Sequence, residues 1–175
     1  TVIPELGRLD NSGGMQMSAS VYRPDPIKCH GRRPVLSNIH GGPEGQSLPW
    51  CQASTNYWVN ELGVAIVYPN VRGSSGYGKT YLASDNGFKR EDTVKDIGTV
   101  INWIKSDANL DADRIGIYGG SYGGYMTLAT ATHYNDQIRA AIDVVGISNF
   151  LTFLQNTSGY RLHLRRVAYR DERDP

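Results

Sequence analysis

The stretch IGIYGGSYGG at residues 115–124 decides how the chain is read. Ile115 to Tyr118 have the apolar, β-branched and aromatic character of a buried strand, and the glycines that follow break it. Tyr122 to His133 reads as a helix, so Ser121 falls between a strand and a helix with glycine two residues away on either side. That is the context of a G-x-S-x-G nucleophile elbow, in which a tight, strained turn holds the serine Oγ proud of the sheet edge. Side chains at positions 119 and 123 would collide with neighbouring backbone, which accounts for the spacing. A helix N-terminus at Ser121 favours negative charge on a reacting oxygen. The plain alternative is a glycine-rich turn with a bystander serine; the strand before and the helix after favour a catalytic serine.

The rest of the chain fits the same pattern. Upstream, Val94, Ile97, Ile101 and Ile104 recur at spacings of three, four and three, which predicts a helix over about 91–106 with one apolar stripe. Glu91 and Asp92 lie at its positive end and Lys105 at its negative end. Val64–Tyr68 is a continuous apolar run, the pattern of a strand covered on both faces. Residues 52–62 carry Tyr57, Trp58 and Leu62 near helical spacing and close on Gly63. Val35–Ile39 reads as a buried strand ending at His40-Gly41-Gly42-Pro43, and Met15–Tyr22 alternates as one strand of a half-exposed hairpin. Downstream, Ala140–Val145 is another strand. A hairpin followed by β-α-β-α-β-α-β implies an α/β fold, a mostly parallel, doubly wound sheet with ligands at the carboxyl ends of its strands.

Composition agrees and excludes some classes of function. With 39% hydrophobic and 20% charged residues, the 175-residue chain suits one globular domain and is too polar for a membrane span. Lys and Arg number 18 against 17 acids, so no net field draws the chain to nucleic acid or to an anionic membrane. Cys29 and Cys51 lack metal-ligand spacing and are expected as unpaired or buried thiols, and neither a metal nor an organic cofactor is implied. Glycine is the surplus, 20 of 175 against a usual share of about 7%. Half of these residues fall in three runs, 41–45, 73–78 and 119–124. The N-terminal residues show no leader, which favours the cytoplasm, and no initiator Met, which suggests a piece of a longer protein.

A serine nucleophile needs two backbone N–H donors for the developing oxyanion. One comes from the residue after the nucleophile, Tyr122, and the other from the loop after an earlier strand, where Gly42 is assigned. His40 precedes the serine, out of the usual order of serine, acid and base, and is expected to brace the loop instead.

With both motifs in place, the chain closely resembles the catalytic domain of the prolyl oligopeptidase family of serine peptidases (peptidase family S9), in its acylaminoacyl-peptidase and dipeptidyl-aminopeptidase-like branch. The resemblance rests on HGGPEGQ at 40–46, YPNVRGSSGYGK at 68–79, DADRIGIYGGSYGGYMT at 111–127 and DVVGISNF at 143–150. It implies the α/β-hydrolase fold, Ser121 as nucleophile, Gly42 and Tyr122 as oxyanion donors, short peptides as substrates, and a β-propeller domain elsewhere in the parent chain. Arg72 and the glycines at 73, 76 and 78 match a loop that braces the floor of the active site. Phe150 either lines the pocket for a substrate side chain or packs in the core, and both readings stand.

The general base and its carboxylate are not evident. His133 ends the nucleophile's own helix, roughly 18 Å from Ser121 at 1.5 Å per residue. His163 lies in RLHLRRVAYRDERDP, where five arginines outnumber three acids, as on a solvated or ion-paired face. Asp143 falls inside a strand and reads as structural. Two further strand-and-crossover units do not fit in the 29 residues after Gly146. The chain is therefore expected to be part of a catalytic domain, incomplete at its C-terminus and with little or no turnover alone. An esterase or lipase, and a non-catalytic binding domain of the same fold, remain the alternatives. Oligomeric state is not legible.

Overall fold

The computed structural model describes residues 2–169, 171 and 173. Strands β1 (Glu5–Asp10) and β2 (Gln16–Tyr22) form an antiparallel hairpin. They are followed by β3 (Arg33–Ile39), helix α1 (Ala53–Asn60), β4 (Ala65–Asn70) and the short helix α2 (Lys79–Leu82). After a 3-10 turn come α3 (Asp92–Ser106), β5 (Leu110–Gly120), α4 (Tyr122–His133), β6 (Ala140–Val144), α5 (Phe150–Gln155) and α6 (Gly159–Ala168). The six strands form one sheet in the order β1-β2-β4-β3-β5-β6. β2 meets β4 antiparallel, and the β4-β3, β3-β5 and β5-β6 pairs are parallel, as the alternation of strands and helices requires.

The core follows from strand alternation. Val35, Ala65, Val67, Ile115 and Ile117 point to the face covered by α3 and α4, where Val94, Ile97, Val100, Ile101, Ile104 and Met126 meet them. Leu36, Ile66 and Tyr68 point to the other face, under α1. The continuous apolar run of β4 is thus buried on both sides.

One expectation is corrected. β2 is not half-exposed: it lies between β1 and β4, and its alternating set Met17, Ala19 and Val21 is buried along with Ser20 and Tyr22 on the other face. In α1, the residues that reach the sheet are Thr55 and Val59, whereas Tyr57, Leu62 and Trp58 are 57%, 46% and 37% exposed. The buried face was hidden in the sequence by its polar member, for Thr55 Oγ1 lies 2.7 Å from the Tyr68 hydroxyl and satisfies it beneath the helix.

Cys29 is half-buried, and no disulfide joins it to Cys51. Among the described residues no helix is long and apolar enough to cross a membrane. The arginine-rich run forms α6 up to Ala168, exposed on most of its surface, while Arg170, Glu172, Asp174 and Pro175 of that run lie outside the described residues.

Candidate active site

Ser121 stands at the junction of β5 and α4 with φ 56° and ψ −118°, a conformation that non-glycine residues adopt only when their surroundings impose it. The surroundings are specific. Its N–H donates to the Val144 carbonyl at 3.0 Å, and its own carbonyl accepts from Tyr125 N–H at 3.2 Å. A β-carbon on Gly119 would lie 2.1 Å from the Gly123 carbonyl oxygen, and one on Gly123 would lie 2.1 Å from that of Ile39. The helix therefore starts in contact with two strand ends, and the serine is lifted clear into solvent. Gly124 is needed for a further reason, since a β-carbon there would meet Asp143 Oδ1 at 2.3 Å and Gly146 Cα at 2.5 Å. Gly120, by contrast, has ordinary room.

The loop after β3 comes to the same place. A β-carbon on Gly41 would lie 3.4 Å from Ser121 Cβ and 4.0 Å from its Oγ. Gly42 follows with φ 133°, and its carbonyl accepts from the Tyr169 hydroxyl at 2.7 Å. Tyr122 is the first residue of α4, so its N–H has no partner within the helix. Ser121, the Tyr122 N–H and the Gly41–Gly42 turn are thus gathered at the carboxyl ends of β3 and β5.

His40 ties the first glycine run to the second. Its Nε2 lies 2.8 Å from Ser74 Oγ and its Nδ1 2.8 Å from the Gly41 carbonyl oxygen. Burial lowers its pKa, which favours the neutral ring. Ser75 N–H adds a bond to the Gly45 carbonyl at 2.9 Å. Below this loop, Arg72 donates its backbone N–H and its guanidinium Nε and Nη2 to the buried Asp96, and the same Nη2 reaches Ser12 Oγ at 3.1 Å. Arg72 thus ties the start of the second glycine run to α3.

A second buried cluster was not foreseen. Asp85 accepts from Arg90 Nη1 and, at 3.0 Å, from Thr93 Oγ1. Arg90 also donates to the Tyr122 hydroxyl at 3.2 Å and packs over the rings of Tyr122 and Tyr169. Burial lifts the Asp85 carboxyl to about 6 despite the arginine beside it. Gly73 packs against this cluster, since a β-carbon there would lie 2.3 Å from the Asp85 carboxylate oxygens.

Phe150 opens α5 and packs on Tyr125 and Tyr169, with ring centroids 4.5 and 5.3 Å apart. The open hollow beside Ser121 is lined instead by Phe153, the 145–149 turn, Thr157 and Arg165. His133 closes the far end of α4, and His163 lies exposed on α6. Asp143 lies against Gly124 and Gly146.

A mostly parallel sheet, a strained serine between strand and helix, and a glycine loop beside it make up an α/β-hydrolase type of fold. The family model of the prolyl oligopeptidase family (peptidase family S9) matches residues 50–172, and the chain belongs to that family. The match includes the elbow and the second glycine run, while the loop at 40–46 precedes it. The dipeptidyl aminopeptidase BIII of Pseudoxanthomonas mexicana is 33% identical over 132 residues, 73% of this chain and 18% of that protein. The human acylamino-acid-releasing enzyme is 24% identical over 82% of this chain and 20% of its own length. The acylaminoacyl peptidase of Pyrococcus horikoshii superposes with a TM-score of 0.85 at 26% identity, over 98% of this chain and 28% of that structure. The chain therefore spans about a fifth of these two curated relatives.

Proposed function

We propose that the chain is the nucleophile-bearing part of a serine peptidase catalytic domain, acting on short peptides through an acyl-enzyme at Ser121. The observation that carries this reading is the strained, exposed Ser121 with Gly41 against its Oγ. In the reaction, Ser121 Oγ attacks the peptide carbonyl carbon while a base takes its proton, and the N–H groups of Gly42 and Tyr122 hold the oxyanion. The C–N bond then breaks, the proton passes to the leaving amine, and water releases the acid from the serine ester. No step calls for a metal or an organic cofactor.

The base and its orienting carboxylate are assigned to residues beyond these 175, as is a β-propeller domain. This is supported by the positions of His40, held by Ser74 and Gly41, and of His133 and His163. The chain alone is accordingly proposed to turn over little or nothing. The names of its relatives, a dipeptidyl aminopeptidase and an acylamino-acid-releasing enzyme, favour peptides over esters. The test is turnover of peptide nitroanilides against nitrophenyl esters by the full-length protein. Peptide cleavage lost on Ser121→Ala is expected, and ester-only activity would place it among esterases.

A further inference from the structure

The hollow beside Ser121 has a volume of about 370 Å³, enough for one amino-acid side chain or a chain end, and its chemistry is uneven. Among the described residues lining it, Arg165 is the single charged one. Serine, threonine and asparagine supply the other polar groups, and Phe153 contributes an aromatic surface.

Arg165 is held in place by uncharged groups. Its guanidinium lies over the Phe153 ring, 4.5 Å from the centroid, and its Nη1 donates to Thr157 Oγ1 at 2.9 Å. Thr157 is set to accept that bond, because its own hydroxyl proton goes to the Phe153 carbonyl at 2.8 Å. One donor of five is thus used, and no carboxylate among the described residues pairs with this half-buried cation. Arg72 and Arg90, in contrast, each end on a buried aspartate. A planar fork stacked on an aromatic ring, with its remaining N–H groups unspent beside a nucleophile, is a receptor for a carboxylate.

We infer that Arg165 makes the hollow beside Ser121 selective for a substrate that carries a carboxylate next to the bond attacked. The inference rests on the peptidase reading for what that substrate is. The carboxylate comes either from an acidic side chain at the cleaved residue or from a free chain end, and the same guanidinium serves both.

Equilibrium binding to the full-length protein tests this without requiring turnover. One pair of ligands is acetyl-Ala-Glu-amide and acetyl-Ala-Gln-amide, of equal shape and different charge. The other is acetyl-Ala-Gly with a free carboxylate and the same peptide as its amide. Calorimetry or amide shifts at Thr157 and Phe153 give the Kd. In at least one pair the carboxylate should bind roughly tenfold more tightly than its neutral partner, a difference worth about 1.4 kcal/mol. Arg165→Met should erase that difference and leave the neutral ligand within about twofold, while Arg165→Lys should keep part of it, since lysine offers charge without the fork. The pair that responds names the source of the carboxylate. Equal binding within both pairs, no carboxylate-dependent binding at millimolar concentration, or a preference that survives Arg165→Met overturns the inference. Fluorophosphonate labelling of Ser121 is scored separately. Labelling without a carboxylate preference removes this inference alone, and carboxylate binding without labelling removes the peptidase reading alone.

Discussion

Arg72 meets the Asp96 carboxylate through both its backbone N–H, at 2.8 Å, and its guanidinium, at 2.7 Å from Nη2. Asp96 is fully buried on α3, and Arg72 follows the end of β4, so this pair fixes the second glycine run to the helix below it. Removing one partner leaves the other charge stranded, and Asp96→Ala should lower stability by about 3–5 kcal/mol. The double variant Arg72→Met/Asp96→Leu should recover at least half of that loss, because an apolar pair of similar bulk carries no desolvated charge. Urea denaturation midpoints of the three proteins check both statements. A single variant as stable as the parent would show that the pair does not brace the loop.

The elbow makes a paired prediction about its glycines. Gly123→Ala drives a methyl group to 2.1 Å from the Ile39 carbonyl, and backbone on both sides must move. We expect it to cost at least about 3 kcal/mol, the upper end for overpacking. Gly120→Ala meets only the Val144 carbonyl, at 3.6 Å, and should stay within about 1 kcal/mol of the parent. Thermal unfolding of the two variants side by side gives the contrast, and similar losses would contradict the packing described.

Ser121 itself carries backbone strain, which the proposed role as nucleophile would account for. At φ 56° a glycine is more comfortable than a serine, so Ser121→Gly should raise stability by about 1–2 kcal/mol while removing the nucleophile. The expected sign is the informative part. A loss of stability in Ser121→Gly would mean that the turn is relaxed.

Asp85 gives the molecule a pH dependence of a defined sign. Its carboxyl is raised to about 6, above the ordinary carboxylate value of 3.8, so the folded state holds a proton that the unfolded chain has already released. Its contribution to stability is therefore full below about pH 4 and is lost as pH rises through about 6. Denaturation midpoints between pH 4 and 7 should fall more steeply for the parent than for Asp85→Asn. Parallel curves would show that Asp85 is ionised in the fold throughout that range.

Much of this architecture was legible because it depends on short-range pattern. The 94, 97, 101, 104 stripe, the VAIVY run and the junction of strand, glycine and helix each follow from a spacing, and each element lies where the spacing puts it. Reading failed where a partner distant in sequence decided the outcome. Thr55 sits under the helix with the Tyr68 hydroxyl as its partner, and β2 is covered on both faces because Met17, Ala19 and Val21 join the core under α3 and α4 while Tyr22 packs with Val59 and Ile66. Asp85 and Arg90 look like surface charges before a helix until the Tyr122 and Tyr169 rings close over the arginine. Of the candidate site, Ser121 and its glycines could be read from spacing alone. Arg165 looked like one charge in a basic run, because what separates it from its neighbours is the ring of Phe153 beneath it.

The central claim is that Ser121 is the nucleophile. Its most direct measurement is treatment of the full-length protein with a fluorophosphonate, followed by digestion and mass spectrometry of the peptide containing residue 121. The account predicts one adduct per chain, on Ser121, that is abolished in a folded Ser121→Ala variant. A folded protein that takes no adduct at Ser121, or takes it on another residue, would contradict the account.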